Sequence, residues 1–249
     1  NYISTLGWPE DKDGLFKKFW EDGETLQLAG KDQVRFQSIM WQAMLMSAGL
    51  PATKRVVYHG FITSGGQKMS KSLGNVVDPA SIVGEYGTDA LRFFLARHVH
   101  SFDDSDFTME RFKEAYNADL ANGLGNQVAR IMRLAEDNLT DPVAVSEEQK
   151  TMQPSFCALL DSYNYNAAAD LIFEHIAKAD AHIQEKKPFF LVKSAKAAEK
   201  EEGIKIIERL VGHLASVAIH LFPIMPQTAE KIQQAILANT MPETLFPRK

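Results

Sequence analysis

Apolar positions along the chain change spacing as the sequence proceeds, and each spacing predicts its own kind of element. Thr25 to Ala29 is a short run closed by Gly30, with the length and boundary of a strand. Residues 33 to 48 place Val34, Ile39, Met40, Leu45 and Met46 at roughly helical spacing with few breakers, which predicts an amphipathic helix. Arg55 to Ile62 is rich in β-branched and aromatic side chains and predicts a second strand. Strand, helix and strand in that order form a βαβ unit, which implies a parallel sheet with a right-handed crossover. Upstream, Trp8-Pro9-Glu10-Asp11, Asp13-Gly14 and Asp22-Gly23 crowd turn formers into a surface excursion between Gly7 and Gly30.

Beyond the second strand, Thr63-Ser64-Gly65-Gly66 makes a flexible turn. Asp78-Pro79 pairs an N-cap with proline at the first helical position, and a further helix is expected from Thr88 to Val99. Past Asp106 the periodicity becomes long and helical, over 108 to 137, 146 to 162, 166 to 186, 195 to 221 and 227 to 238. Ser146-Glu147-Glu148-Gln149 fits a capping box, and Pro142, Pro154, Pro188, Pro223 and Pro226 sit near the breaks. The expected fold class is therefore α/β followed by all-α. The division falls near residue 100, with an α/β domain over 1–100 and a helical bundle over 101–249.

Composition narrows what such a chain can be. With 249 residues and 45% apolar content it can bury two cores. A net charge of −5 lacks the overall basic footprint of a nucleic-acid binder, so any RNA contact must be local. The single cysteine, Cys157, excludes an internal disulfide framework or a cysteine-rich zinc site within these residues and suits a reducing cytosol. No apolar run approaches a membrane span and no signal segment opens the chain, so a soluble cytoplasmic location is expected. The opening Asn1-Tyr2-Ile3-Ser4 lacks an initiator methionine and starts inside what reads as an element, which suggests a fragment.

Two segments carry candidate chemistry. Lys68-Met69-Ser70-Lys71-Ser72, followed by Leu73-Gly74-Asn75, puts two lysines on a glycine- and serine-flanked loop after a strand. Such cations can follow a polyphosphate as its charge moves, which pyrophosphate departure requires; the plainer alternative is a solvated basic turn. Farther on, Tyr116 to Arg130 spends helix positions on asparagine and glycine, both poor helix formers. Asn122, Asn126 and Arg130 recur every four residues on one face, while Leu120, Leu124, Val128, Ile131 and Leu134 make a separate apolar stripe. Amides and a guanidinium can read the edges of splayed bases, and Phe189 or Phe190 after Pro188 can stack on one. Otherwise the asparagines bond neighbouring backbone and both phenylalanines are core.

The lysine-serine loop matches the second signature of class I aminoacyl-tRNA synthetases in full. The chain resembles the methionyl-tRNA synthetases among them, through Gly30-Lys31-Asp32, Val57-Tyr58-His59-Gly60-Phe61, Asn75-Val76-Val77-Asp78-Pro79 and Tyr86-Gly87-Thr88-Asp89-Ala90-Leu91-Arg92, in that order. The similarity runs from Tyr2 past residue 190. It implies the C-terminal half of a Rossmann-like catalytic domain followed by an anticodon-binding bundle, and a ligase that activates methionine with ATP and Mg2+ before passing it to tRNA(Met). By resemblance, Lys68 and Lys71 stabilise the transferring phosphates, within an ATP-binding loop that includes Met69, Ser70 and Ser72. Asp32 takes the ribose hydroxyls, Gly30 leaves the sugar room, and His59, Gly60 and Ile62 face adenine. Tyr2 and Gln37 fall at methionine-pocket positions, and Asn122, Asn126, Arg130 and Phe189 at positions that bind the CAU anticodon. Asp32 also suits the N-cap of a helix from Gln33, and Tyr2 also suits ordinary core.

The chain departs from the family pattern at Gln27-Leu28-Ala29, where a histidine and a branched residue are usual. It departs again at Gln37, where a histidine is usual, and at Phe189, where tryptophan is common. Glutamine still donates and accepts, and phenylalanine still stacks. The His-x-Gly-His-like first signature of the class and the opening Rossmann half have no match here, so this chain is expected to bind tRNA better than it forms aminoacyl-adenylate. Another class I synthetase and a non-catalytic tRNA-binding module are the competing readings.

Overall fold

Strands β1 (Leu26–Gly30) and β2 (Arg55–His59) pair in parallel, with Leu26 opposite Arg55 and Gly30 opposite His59. The expected βαβ order therefore holds. The connection is helical in three windings: a 3₁₀ turn Lys31–Gln33, a π-helical Arg35–Met40 and α1, Trp41–Ser47. Of the apolar stripe expected on this helix only Leu45 is buried, against Phe16 and Trp20, whose indole N–H donates to the Pro51 carbonyl at 3.0 Å. Val34, Ile39, Met40 and Met46 are exposed, because the core beneath the helix is small.

The computed structural model describes residues 1–249 except for the side chain of Lys71, and it forms two compact units. Asn1–Ile62 with Phe102–Ser105 makes the first, Thr63–Ser101 with Asp106–Lys249 the second. The expected division near residue 100 is thus not where the units part. Helices α2 (Pro79–Tyr86) and α3 (Thr88–His98) bury Ile82, Ala90, Phe93 and Phe94 in the same core as the later helices. Asp89 is buried and its carboxylate accepts from the Thr228 amide at 2.6 Å and the Thr228 hydroxyl at 2.7 Å. Arg92 donates to the carbonyls of Pro223 and Ile224, both at 2.7 Å. The Thr88-to-Arg92 string is thereby a structural clasp on the last helix.

Strands β3 (Ile62–Ser64) and β4 (Gln67–Lys68) form a hairpin turned by Gly65 and Gly66, both at positive φ as such a tight turn demands. As expected, Asp78 caps α2, accepting from the Ala80 and Ser81 amides at 3.1 and 3.2 Å with Pro79 at the first position. After β5 (Ser105–Asp106) come α4 (Met109–Ala115), a π-helical stretch Tyr116–Gly125 and α5 (Asn126–Asn138). The remaining helices are α6 (Pro154–Asp161), α7 (Tyr165–Lys186), α8 (Pro188–Leu191), α9 (Ala197–Leu221) and α10 (Pro226–Ala238).

Two helices differ from their expected course. The Ser146 amide does donate to the Gln149 side chain at 2.9 Å and the Gln149 amide to the Ser146 hydroxyl at 3.3 Å, but these bonds close only a turn. Pro154 disfavours helix before it, so α6 starts there. In the stretch 116–125 the Asn126 amide reaches back to the Ala121 carbonyl, which is π winding, while Leu120 and Leu124 stay fully buried. The winding accounts for a poor helix former: a Cβ on Gly125 would stand 3.0 Å from the Leu120 carbonyl.

Candidate functional site

In the first unit, β1 ends on Gly30 and the chain turns at once into the 3₁₀ turn that carries Asp32. A Cβ on Gly30 would meet Asp32 Oδ1 at 2.8 Å and the Phe61 and His59 rings at 3.7 and 3.9 Å, so a side chain there would displace the Asp32 carboxylate and narrow this strand end. Asp32 makes no helix-cap bond; its carboxylate is exposed and receives the Gln33 side-chain amide at 3.4 Å. The cap alternative for Asp32 therefore fails, and its acceptor oxygens face water. Gly60 is buried against backbone: a Cβ there would stand 2.2 Å from the Asp103 carbonyl oxygen. His59 Nδ1 lies 2.8 Å from the Gly60 carbonyl oxygen, and Ile62 is exposed.

Lys31 and Asp104 were not singled out by sequence, and the structure joins them. The Lys31 ammonium lies 2.7 Å from the Asp104 carboxylate and 5.1 Å from the centre of the Phe61 ring. Asp104 also accepts the Phe61 amide at 2.8 Å. The lysine bond, then that amide, hold the Asp104 carboxyl below its usual range. The Phe61 bond fastens Asp104 to the segment just after β2, and the Lys31 bond fastens it to the turn just after β1.

Tyr2 and Gln37 do meet. Gln37 Nε2 donates to the Tyr2 hydroxyl at 3.2 Å, and the Tyr2 ring stands edge-on to Trp41 at 5.5 Å. Gln37 Oε1, Gln27 Nε2 and the Trp41 indole N–H are buried with no partner. A cavity of about 260 Å³ opens beside Tyr2, Trp20, Gln27 and Leu28. Unpaired buried polar atoms are costly and commonly mark a ligand or water position, so this corner combines an apolar wall with orphaned amide and indole groups.

In the second unit, Lys68 ends β4 and the chain then folds over Asn75. The Asn75 side chain accepts the Ser70 amide at 2.8 Å and donates to the Lys68 carbonyl at 3.2 Å, while the Ser70 and Ser72 hydroxyls lie 2.7 Å apart. Met69 is half-buried and packs on the helical core. The loop is thus anchored at Met69 and bridged by Asn75. The expected role of Lys71 falls on a side chain outside the described residues. Asp106, which sequence did not flag, grips the preceding hairpin: it accepts the Gly66 amide and the Thr63 hydroxyl, each at 2.8 Å. These bonds, the amide first, hold its carboxyl below the usual range. No local pattern reveals Asp104 or Asp106, since their partners lie 40 to 73 residues away in sequence; Asn75 stood inside the motif string and could have been named.

On the helical face, Asn122 and Asn126 are exposed and Arg130 half-buried. Phe189 is half-buried at the start of α8, and the Arg130 guanidinium lies over its ring, 5.8 Å from the centre. Fifty-nine residues of separation vanish there: 189 and 130 form one cation–π pair. Phe190 is not core, being 65% exposed, whereas Phe189 is half-buried and packs against the helical core.

Comparison with known proteins adds a family to this geometry. Residues 1–132 match the model of class I tRNA synthetases (M). The chain is 36% identical to the methionine–tRNA ligase of Thermotoga maritima over 97% of its length, and 38% identical to that of Clostridium acetobutylicum over 94%. It spans 39% and 37% of those relatives. Among solved structures it is similar to the Mycobacterium tuberculosis methionyl-tRNA synthetase bound by methionyl-adenylate, with a TM-score of 0.79 and 28% identity, covering all of this chain and 53% of that one. With more than half of its residues matched to that model, and the two lysine-bearing and asparagine-bearing segments placed as described, the chain belongs to the class I tRNA synthetase family (M).

Proposed function

We propose that this chain serves a methionine–tRNA ligase, contributing nucleotide-handling residues and the surface that reads the CAU anticodon of tRNA(Met). The observation that carries the reading is the convergence of Arg130 on Phe189 next to the exposed Asn122 and Asn126. An amide pair, a guanidinium and a ring together offer the edge-on hydrogen bonds and the stacking that single-stranded loops require.

For activation, methionine's carboxylate attacks the α-phosphate of ATP and pyrophosphate leaves. Lys68 would neutralise charge on the departing phosphates, and Lys71 is assigned the same task by the family motif. Asp32 would accept from the ribose hydroxyls across the space that Gly30 keeps open, and the His59-Gly60 backbone would meet adenine, with Ile62 alongside. Tyr2 and Gln37 would border methionine's thioether, a soft apolar group suited to an aromatic wall. Magnesium would travel with the triphosphate. Among the described residues no group of three His, Cys, Asp or Glu side chains is placed to hold a metal ion, and no step is assigned to it.

The test is binding of this chain to a stem-loop bearing CAU, against stem-loops with one anticodon base changed, at one stated salt concentration. A preference of about ten-fold, equivalent to about 1.4 kcal/mol, that disappears in Asn126→Ala or Arg130→Ala is expected. Equal binding to all loops would end the anticodon assignment.

A further inference from the structure

We propose that Phe190 is a second stacking platform, taking the base of a nucleotide that adjoins the anticodon; the proposal rests on the anticodon reading above. Phe190 is 65% exposed, which forgoes one of the larger hydrophobic gains a side chain can make, and a single Ala would satisfy the same short helix. The ring is also held in place. Lys187 adopts a left-handed conformation (φ 48°, ψ 53°) that stops α7, and buried Pro188 starts α8, so Phe190 projects from a fixed corner rather than a loose loop.

Its neighbours define what it can receive. The Phe189 and Phe190 ring centres are 4.7 Å apart and tilted by 50°, too close for a base to enter between them. Phe189 is already flanked by Phe190 and by the Arg130 guanidinium, so the freer aromatic surface is that of Phe190. Lys187 and Lys193 bracket it in sequence and are both exposed, placing positive charge where a phosphate backbone would run. Aromatic faces interleaved with cations are the chemistry of single-stranded RNA, and stacking is sequence-tolerant because every base has a π-face. A ring next to the reading residues therefore adds affinity for the loop without adding discrimination among anticodons.

The experiment uses this chain, a CAU stem-loop, and two further loops in which one or the other nucleotide flanking the anticodon is abasic. Phe190→Ala is expected to weaken binding to the intact loop by about ten-fold, to leave the anticodon preference unchanged, and to cause no loss on one of the abasic loops; Phe190→Trp restores binding. Unchanged affinity in Phe190→Ala, or an equal loss on both abasic loops, overturns the platform, the first outcome leaving the ring to a protein contact. Asn126→Ala and the base-changed loop separate the two readings. If they still matter while Phe190→Ala does not, only the platform fails; if they do not matter either, the anticodon reading falls and takes the platform with it.

Discussion

The Asp106 carboxylate accepts the Gly66 amide at 2.8 Å, fastening the tip of the hairpin that leads into the lysine-serine loop. Gly66 stands in a turn of two positive-φ glycines, which has little rigidity of its own. Asp106→Asn keeps the size and removes the charge, and it is expected to speed hydrogen exchange at the Gly66 amide by about ten-fold or more. Unaltered exchange would mean that the turn holds its shape unaided.

Gly60 and Gly84 make a matched pair of opposite sign. Alanine at 60 would drive a methyl to 2.2 Å from the Asp103 carbonyl oxygen, whereas at 84, within α2, nothing lies within 4 Å. Gly60→Ala is expected to cost roughly 3 kcal/mol or more. Gly84→Ala is expected to stabilise by about 0.5–1 kcal/mol through helix propensity. Urea denaturation of both variants measures the contrast.

Asp89 acts on a helix far along the chain. The residue before α10, Met225, offers no side-chain cap, and the Asp89 carboxylate supplies one to Thr228 instead. Asp89→Ala leaves the Thr228 amide and hydroxyl without a buried partner, at an expected cost of about 2–3 kcal/mol. A denaturation midpoint equal to that of the parent chain would refute this remote cap.

His213 sets part of the response to acid. Its Nε2 lies 3.0 Å from the His175 carbonyl oxygen, the two imidazoles are stacked at 5.9 Å, and burial pushes the His213 pKa below the ordinary histidine value. The unfolded chain therefore takes up this proton first as pH falls. The fold is fully stable above the unfolded value and loses stability as pH drops from there toward the depressed folded value. His213→Gln is expected to narrow the difference in Tm between about pH 7.5 and about pH 5.5.

Short-range rules carried much of the reading. The strand pair, the Asp78-Pro79 start of α2 and the apolar stripe through Leu120, Leu124 and Val128 follow from spacing and capping, which depend on neighbours a few residues away. The division near residue 100 did not, because Asp89 and Arg92 reach more than 130 residues ahead to bind α10 and its approach. The helix expected from 146 failed for a related reason: its capping box was real, but the Gln149 side chain is seated against Gly212, and Pro154 sets the start of α6. Among candidate site residues, motif strings named Lys68 and Asp32 and contained Asn75 without naming it, whereas Asp104 and Asp106 became visible only through their bonds to Phe61 and Gly66.

The π winding of Tyr116–Gly125 bears on how the chain tolerates changes in length. An ordinary α-helix that loses one residue rotates everything after it by roughly 100°, which would swing Asn126 and Arg130 away from their present bearing. This stretch already stores more residues per turn than an α-helix, so it can surrender one by tightening, and α5 stays in step with its neighbours. Adding a residue has no such outlet. Single deletions between 116 and 125 are accordingly expected to fold and single insertions to fail, an asymmetry that soluble yield across such a series would expose.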